Sequence, residues 1–228
     1  MKFGVVTFPG SNCDEDMVYV LKDLLGQQVE RLWHKDTDIK GVDMVVLPGG
    51  FSFGDYLRSG AIAKFSPIMT QVIEHANKGG YVFGVCNGFQ ILTESGLLEG
   101  ALLHNNQQKF ICKNVHLLPV SNSAPITKGL DHKAVFKIPI AHGEGRFFAN
   151  QETLNSLEDN DQILFKYCEA SGDLTAESNP NGALLNIAGI TNKNKNVFGM
   201  MPHPERAADR HLGNEDGKVI FESILKYC

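Results

Sequence analysis

The chain has 228 residues, 43% of them hydrophobic and 21% charged, which is long and apolar enough to bury the core of one large domain. Its formal net charge of −5, with both signs interspersed, argues against nucleic acid or an anionic membrane as a partner. No apolar run approaches the ~18 residues of a membrane span, and residues 1–7 lack the regions of a signal peptide.

The first half of the chain alternates short apolar runs with amphipathic segments. Ser66 and Pro67 are typical of a helix start, and Gly26 and Gly79 are placed to end helices. The predicted order is strand 2–8, helix 12–26, strand 28–33, strand 42–50, helix 66–80 and strand 81–85. Buried strands joined by helices predict a parallel sheet with helices on both faces.

The second half consists mainly of short strand-like runs separated by Asn, Gly, Ser and Lys turns. We expect some of these strands to extend the sheet and others to pair antiparallel beside it. They lie at 109–120, 134–142, 162–168, 182–191 and 196–203, before an amphipathic helix at about 216–227. No linker or repeat interrupts the pattern, so residues 1–228 are predicted to form a single α/β domain of three layers.

One cysteine stands at a cramped corner between a strand and a helix. The run GVCNG, residues 84–88, has the form of a nucleophile elbow with sulfur in place of oxygen. Such a turn holds Cys86 at the carboxyl edge of the sheet and near a helix N-terminus, which favours the thiolate. The amide of Asn87 is then an oxyanion donor. The alternative is a buried core cysteine between two incidental glycines.

The other four cysteines lack this context and are interpreted as packing or surface residues. Five cysteines without C-x-x-C spacing predict neither a disulfide framework nor a zinc knuckle, and they favour a reducing, cytoplasmic location. These four are Cys13, Cys112, Cys168 and Cys228.

A cysteine nucleophile requires a base, usually a histidine that a third group orients. Two H-x-E arrangements qualify, His142 with Glu144 and His203 with Glu205. The second follows an apolar run and is flanked by prolines, so it is the better base. Each histidine alternatively is a surface turn residue beside an acid. A metal site is a further rival, but no ligand-spaced motif such as H-E-x-x-H supports it.

The glycine-rich stretch 47–63 follows the predicted strand 42–50. It contains neither G-K-[ST] nor a G-x-G-x-x-G that opens a helix, so a phosphate-binding loop is not predicted. Paired glycines at this sheet edge can instead offer backbone amides to an oxyanion or a carboxylate. The plain alternative is a connecting loop.

Together these motifs resemble the class I glutamine amidotransferases, whose triad is Cys, His and Glu. The stretches PGGFSFGDYLRSGAIA, GVCNGFQIL, IPIAHGEGRF, NPNGALLNIAGI and GMMPHPERA are similar to the family of glutaminase subunits of phosphoribosylformylglycinamidine synthase. The resemblance covers the whole chain and implies a flavodoxin-like fold with additional antiparallel strands.

The resemblance also implies the roles of individual residues. Cys86 is the expected nucleophile, His203 the base and Glu205 the group that orients it. The amides of Gly50 and Asn87 form the expected oxyanion hole. The expected glutamine-binding residues are Ser52, Gln90, His142, Gly143 and Glu144.

The implied reaction is hydrolysis of glutamine to glutamate and ammonia through a γ-glutamyl thioester. The ammonia goes to a large synthetase subunit, which with a small accessory subunit converts formylglycinamide ribonucleotide to the amidine. No cofactor or metal is expected in this chain, and ATP and Mg²⁺ belong to the synthetase. Two alternatives stay open, a stand-alone cysteine hydrolase such as a peptidase and a redox-sensing module without enzymatic activity.

Overall fold

The computed structural model describes residues 1–228. Its strands are β1 Lys2–Thr7, β2 Gln28–Trp33, β3 Met44–Leu47, β4 Tyr81–Val85, β5 Ala101–Leu103, β6 Ile111–Pro119, β7 Phe136–His142, β8 Arg146–Phe148, β9 Ile163–Cys168, β10 Ile187–Thr191 and β11 Val197–Met200. Its α-helices are α1 Asp14–Val18, α2 Pro67–Asn77, α3 Asn87–Glu94, α4 Pro125–Lys128, α5 Gln151–Asp159 and α6 Lys218–Tyr227.

Nine strands form one sheet in the order β2-β1-β3-β4-β11-β10-β9-β6-β7. The pairs from β2 through β11 are parallel, and the remaining strands pair antiparallel. Strands β5 and β8 form a separate antiparallel ribbon. This arrangement confirms the predicted fold class. The parallel half brings the carboxyl ends of β1, β3, β4 and β11 to one edge, where open α/β sheets bind ligands.

Helices cover both faces of this sheet, as neighbouring residues of β4 show. Successive side chains of a strand point to opposite faces. The Phe83 ring meets Phe221 of α6, with ring centroids 6.3 Å apart. A Cβ on the next residue, Gly84, would lie 2.6 Å from Leu92 of α3. Helices α3 and α6 therefore pack on opposite faces of β4.

Buried apolar side chains form a core cluster of 57 residues that draws on strands and helices of both halves of the chain. Such continuity is what the burial of a single hydrophobic core requires. The assignment of residues 1–228 to one domain stays a prediction. No helix here combines the length and the apolar character needed to cross a membrane.

The structure differs from the predicted elements in detail. The segment predicted as one helix over 12–26 is α-helical only in α1 and continues as a wider π-helix over Tyr19–Leu24. Apolar spacing over so few turns does not distinguish the two helix types. Ser66 precedes α2 but makes no capping hydrogen bond, and its hydroxyl lies 3.4 Å from His34 Nδ1. The elements β5, β8, α4 and α5 were not predicted; β5, β8 and α4 are too short to show a period.

Helix α3 approaches β3 so closely that only glycine fits at Gly88. A Cβ there would lie 1.8 Å from the backbone oxygen of Leu47. We expect Gly88→Ala to lower the free energy of unfolding by about 3 kcal/mol, because the obstacle is backbone and cannot rotate away. Urea denaturation measures this loss.

The matched control is Gly96→Ala, since Gly96 has a φ of 75° and open space around its Cα. In that variant only backbone strain lowers the free energy of unfolding, by about 1 kcal/mol. Equal losses in the two variants would show that close packing at Gly88 is not what excludes a side chain.

Candidate functional site

Cys86 occupies a strained corner between β4 and α3. Its φ of 50° and ψ of −105° lie outside the regions that L-residues favour. Its side chain is 4% exposed, and its thiol donates to the Ala141 carbonyl at 3.7 Å. Asn87 supplies the first amide of α3, one of the N–H groups that a helix start leaves without an intrahelical acceptor. Strain held by such tight packing is typical of a nucleophile elbow.

A buried imidazole–carboxylate pair follows β11. The backbone N–H of His203 donates to Pro139 O at 2.8 Å, and Pro204 begins a short 3₁₀ turn that places Glu205. His203 Nδ1 lies 2.6 Å from Glu205 Oε1, and both side chains are at most 2% exposed. The carboxylate therefore holds the imidazole ring in one orientation through Nδ1, and Nε2 is left to contact another group.

The charge state of His203 follows from its neighbours. Burial alone lowers the pKa of His203, but the charges of Glu205 and Cys86 outweigh it and hold the pKa well above its ordinary value. His203 Nε2 makes no hydrogen bond in this structure, although the Cys86 thiol lies near enough to affect the ring. Catalytic contacts are often long before substrate binds. A protonated imidazole beside a thiol stabilises the thiolate.

The absence of a side chain at Gly49 leaves room for the His203 ring at the edge of the sheet. A Cβ on Gly49 would lie 2.6 Å from His203 Cε1 and 3.0 Å from Cys13 Sγ. Its neighbour Gly50 has a φ of 142°, and a Cβ there would meet the backbone of Ser11 and Asn12. The paired glycines after β3 therefore leave room for a ring on one side and a backbone crossing on the other.

Cys13, interpreted from the sequence as a packing or surface residue, is buried and lies beside the same imidazole. Its sulfur accepts a hydrogen bond from Arg206 Nη2 at 3.1 Å, and Arg206 Nε donates to Asp16 at 3.0 Å. Burial raises the pKa of the Cys13 thiol despite its contacts with His203 and Arg206. Because β1 and β3 are adjacent and parallel, the loops that follow them meet at the carboxyl edge of the sheet. This rule could have predicted from the sequence that Cys13, in the loop after β1, lies near the site.

Cys13, His203 and Glu205 form a group in which one potential metal-ligating atom of each lies within 4.8 Å of the others. The spacing and residue types are those that bind zinc. The Arg206 guanidinium against the sulfur opposes a second cation, and the short Nδ1–carboxylate hydrogen bond already occupies two of the ligand atoms. These contacts fit an orienting network around the histidine better than a metal centre.

A cavity opens beside the Cys86 side chain. Of the predicted substrate residues, Gln90, His142, Gly143 and Glu144 line it together with Gly50. Its remaining walls come from Phe51, Asp55, Ser59, His104, Phe110 and Ala141. A second cavity next to it is lined by Cys13, Cys86 and His203. The nucleophile candidate therefore lies between a polar pocket and the histidine.

Ser52 and Asn87 lie behind the wall of this cavity. The Asn87 side chain accepts the N–H of Ser52 at 3.1 Å and donates to Gln90 Oε1 at 2.9 Å. Gln90 Nε2 in turn donates to the backbone oxygen of Glu144. Their side chains thus connect the loop after β3, helix α3 and the loop after β7, while the Ser52 hydroxyl is buried without a partner.

His142 differs from His203 in its partner and in its charge. Its Nδ1 lies 3.1 Å from Asn105 Oδ1, which also accepts the N–H of Gly145. Because that amide oxygen can only accept, Nδ1 carries the proton. Burial, with a contribution from His203, lowers the pKa of His142 to about 4, so the ring is neutral at pH 7. Glu144 does not orient it and lies instead 3.6 Å from His104.

Three comparisons relate the chain to known proteins. A family model described as CobB/CobQ-like glutamine amidotransferase domain matches residues 1–228. Phosphoribosylformylglycinamidine synthase subunit PurQ of Synechocystis sp. is 60% identical over 221 residues, covering 97% of this chain and 99% of that relative. The subunit of the same name from Chlorobium chlorochromatii is 55% identical over 223 residues, covering 98% and 95%. A chain in the structure of PurLQS from Thermotoga maritima aligns with a TM-score of 0.87 and 41% identity, covering 99% and 98%.

Proposed function

The chain belongs to the family of CobB/CobQ-like glutamine amidotransferase domains, and from that membership we propose that it hydrolyses glutamine as the glutaminase subunit of phosphoribosylformylglycinamidine synthase. The observation that carries the proposal is the position of Cys86. It stands at a strained strand–helix corner beside a polar cavity and the buried His203–Glu205 pair.

The reaction begins when the Cys86 thiolate attacks the side-chain carbonyl carbon of glutamine. The amides of Gly50 and Asn87 stabilise the oxyanion of the tetrahedral intermediate. Protonated His203 gives its proton to the departing nitrogen, so ammonia leaves and a γ-glutamyl thioester remains. His203 then takes a proton from water, hydroxide attacks the thioester, and glutamate leaves as the thiolate and the imidazolium are restored.

The ammonia serves a reaction that occurs elsewhere. The relatives are named as subunits of phosphoribosylformylglycinamidine synthase, and the aligned chain comes from a PurLQS structure. On that basis the partners are a large synthetase subunit and a small accessory subunit, which use ATP and Mg²⁺ to convert formylglycinamide ribonucleotide to the amidine. No cofactor is assigned to this chain. A cytoplasmic location belongs to the proposal and is supported by five free cysteines.

Release of ammonia from glutamine, measured with the purified complex, tests the proposal. Ammonia and glutamate in equal amounts are the expected products. A stand-alone cysteine hydrolase would instead cleave other amides or peptides without preference for glutamine, and a redox-sensing module would cleave neither. Failure to release ammonia from glutamine in the complete complex contradicts the proposal.

We expect the isolated chain to be a poor glutaminase that its partner activates. The segment 51–65 follows Gly50, the proposed oxyanion glycine, and exposes the side chains of Tyr56 and Leu57, at 74% and 93%, to solvent. We expect a partner that orders this segment to bring the Gly50 N–H into position as an oxyanion donor. One such donor lowers the activation free energy by about 3 kcal/mol. The expected rise in kcat/KM for glutamine is at least tenfold, which corresponds to about 1.4 kcal/mol.

The measurement is steady-state hydrolysis by the chain alone and then with saturating synthetase, accessory subunit, ATP and acceptor nucleotide. By linkage, glutamine tightens the complex if it favours the same loop state. Equal kcat/KM values in both conditions would show that the subunit is constitutively active.

A further inference from the structure

The Glu205 carboxylate has one oxygen that no hydrogen bond satisfies. Its Oε1 pairs with His203 Nδ1 at 2.6 Å, whereas its Oε2 is buried without a partner. The next residue along the chain is Arg206, and a guanidinium carries five N–H donors in a planar arrangement that suits a carboxylate. Arg206 nevertheless forms its ion pair with Asp16 and not with Glu205. The structure therefore holds this cation away from the buried carboxylate.

Two side chains hold the Arg206 guanidinium in this position. Its Nε donates to Asp16 Oδ2 at 3.0 Å, and its Nη2 donates to Cys13 Sγ at 3.1 Å. The Cys13 thiol donates its own proton to Asn12 Oδ1 at 3.2 Å. Burial raises the pKa of this thiol, so the sulfur is uncharged at pH 7. It orients the guanidinium without adding a second negative charge beside His203.

The backbone around Cys13 fixes the position of this sulfur. The N–H of Cys13 donates to Gly49 O at 3.3 Å, and its carbonyl accepts the N–H of Met17 at 3.1 Å where α1 begins. A polar side-chain atom of each of Cys13, His203 and Glu205 lies within 4.8 Å of the other two. The sulfur therefore contacts the guanidinium and lies at the edge of the imidazole–carboxylate pair.

The charge of the guanidinium matters because its neighbour His203 is kept protonated by negative charge. The charged and titratable groups around this imidazole come from its own turn and from three other elements: Glu205 and Arg206, Cys13 of the loop after β1, Cys86 of the turn after β4, and His142 of β7. His142 is neutral at pH 7, so Arg206 is the fixed cation among them. A guanidinium in contact with Glu205 would offset the carboxylate charge that raises the pKa of His203.

We propose that Cys13 is a positioning residue for the glutaminase reaction, because its thiol holds the Arg206 guanidinium away from Glu205. The carboxylate thereby stays paired with His203. The inference rests on the proposed glutaminase function. Cys13 takes no part in bond making, so its contribution is to the charge of the imidazole. Without the thiol, the guanidinium turns to the unpartnered Oε2 of Glu205, and the imidazolium is lost at a lower pH.

The pH dependence of kcat/KM for glutamine, measured with the complete complex, tests this role. In Cys13→Ala the alkaline limb should move towards acid by about one pH unit, a shift that a nearby charge commonly causes. On that limb kcat/KM then falls about tenfold. Cys13→Ser keeps a donor and an acceptor and should retain most of the wild-type profile. The matched control is Cys168→Ala, which removes a buried sulfur of β9 and should leave the limb in place.

A double-mutant cycle separates this role from simple packing. If Cys13 acts through the guanidinium, Arg206→Met removes the effect of Cys13→Ala, and Arg206→Met and the double variant have the same alkaline limb. A limb that shifts equally with and without Arg206, or that does not shift in Cys13→Ala, would overturn the proposal. If Cys13→Ala does not fold, Cys13→Val decides in its place, because valine fills the space without an acceptor. An unmoved limb in that variant contradicts the proposal.

The charge of His203 can also be followed without turnover. NMR titration of the full chain with isotope-labelled histidine reports the pKa of each imidazole, and the His203 signal is the one that His203→Ala lacks. This pKa should fall in Cys13→Ala and not in Cys168→Ala, and an equal pKa in all three proteins would contradict the proposal. A wild-type complex that releases no ammonia from glutamine would contradict the proposed function, whereas this titration would still decide the role of Cys13.

Discussion

Replacing Cys86 by alanine is expected to abolish glutamine-dependent synthesis by the complex while ammonia-dependent synthesis continues. Without the sulfur no thioester forms, and loss of a nucleophile from a catalytic triad lowers kcat by several orders of magnitude, here at least about 10⁴-fold. The partner's own reaction does not involve this cysteine, so added ammonia should restore synthesis. The two rates are measured on the same preparation with glutamine or an ammonium salt as the nitrogen source.

Cys13→Ala and Cys168→Ala are the informative controls. Cys13 shares the neighbourhood of His203, whereas Cys168 is buried at the end of β9. Cys168→Ala should leave glutamine-dependent synthesis unchanged. Cys13→Ala should retain a clear activity, because the elbow and its helix N-terminus remain intact. The assignment fails if Cys13→Ala is as inactive as Cys86→Ala is predicted to be, or if Cys86→Ala keeps glutamine-dependent synthesis.

His203→Ala is expected to lower kcat by about 10²–10⁴-fold, the range of general acid–base catalysis. His203, unlike His142, has a buried carboxylate on Nδ1 and a pKa raised above the ordinary value. His142→Ala should instead act on glutamine binding and raise KM, because its ring is neutral and held by Asn105. The reverse pattern of kcat and KM effects would identify His142 as the base.

The Glu205→Gln variant gives a pH readout for the same assignment. The Glu205 charge opposes the effect of burial and holds the His203 pKa high, so the imidazolium persists to a higher pH than in free histidine. Removing that charge lowers the His203 pKa, and activity that depends on the imidazolium is then lost at a lower pH. The alkaline limb of the kcat/KM profile should therefore move towards acid in Glu205→Gln. An unmoved limb would mean that Glu205 does not set the charge of His203.

The sequence predicted those features that depend on local pattern. The strand before Cys86 and the helix after it have strong apolar periods and glycine boundaries, and the structure has β4 and α3 there. Strands β1 and β2 were also predicted close to their observed bounds, whereas the strand predicted over 42–50 is shorter in the structure and spans only Met44–Leu47. Short elements were missed where no period exists, as in the three-residue strands β5 and β8.

Contacts between distant parts of the chain explain the remaining differences. Cys13 and Arg206 are 193 positions apart, and only the parallel order β1-β3-β4-β11 brings their loops together. Asp55 was not assigned to the cavity from the sequence, because that cavity forms only where the loop after β3 meets α3 and the loop after β7. Ser52 was assigned to the cavity from the resemblance, whereas its backbone, held by Asn87, is what supports the wall.

Covalent labelling with a diazoketone analogue of glutamine tests the central claim, that Cys86 is the nucleophile, most directly. The analogue binds in the substrate cavity, where the nucleophilic sulfur displaces dinitrogen from its protonated diazo carbon and forms a stable thioether. Peptide mass spectrometry then identifies the modified residue. We expect one label per chain, on Cys86, in the wild type and in Cys13→Ser, and none in Cys86→Ser. A stoichiometric label on Cys13, or labelling of Cys86→Ser at any other cysteine, would contradict it.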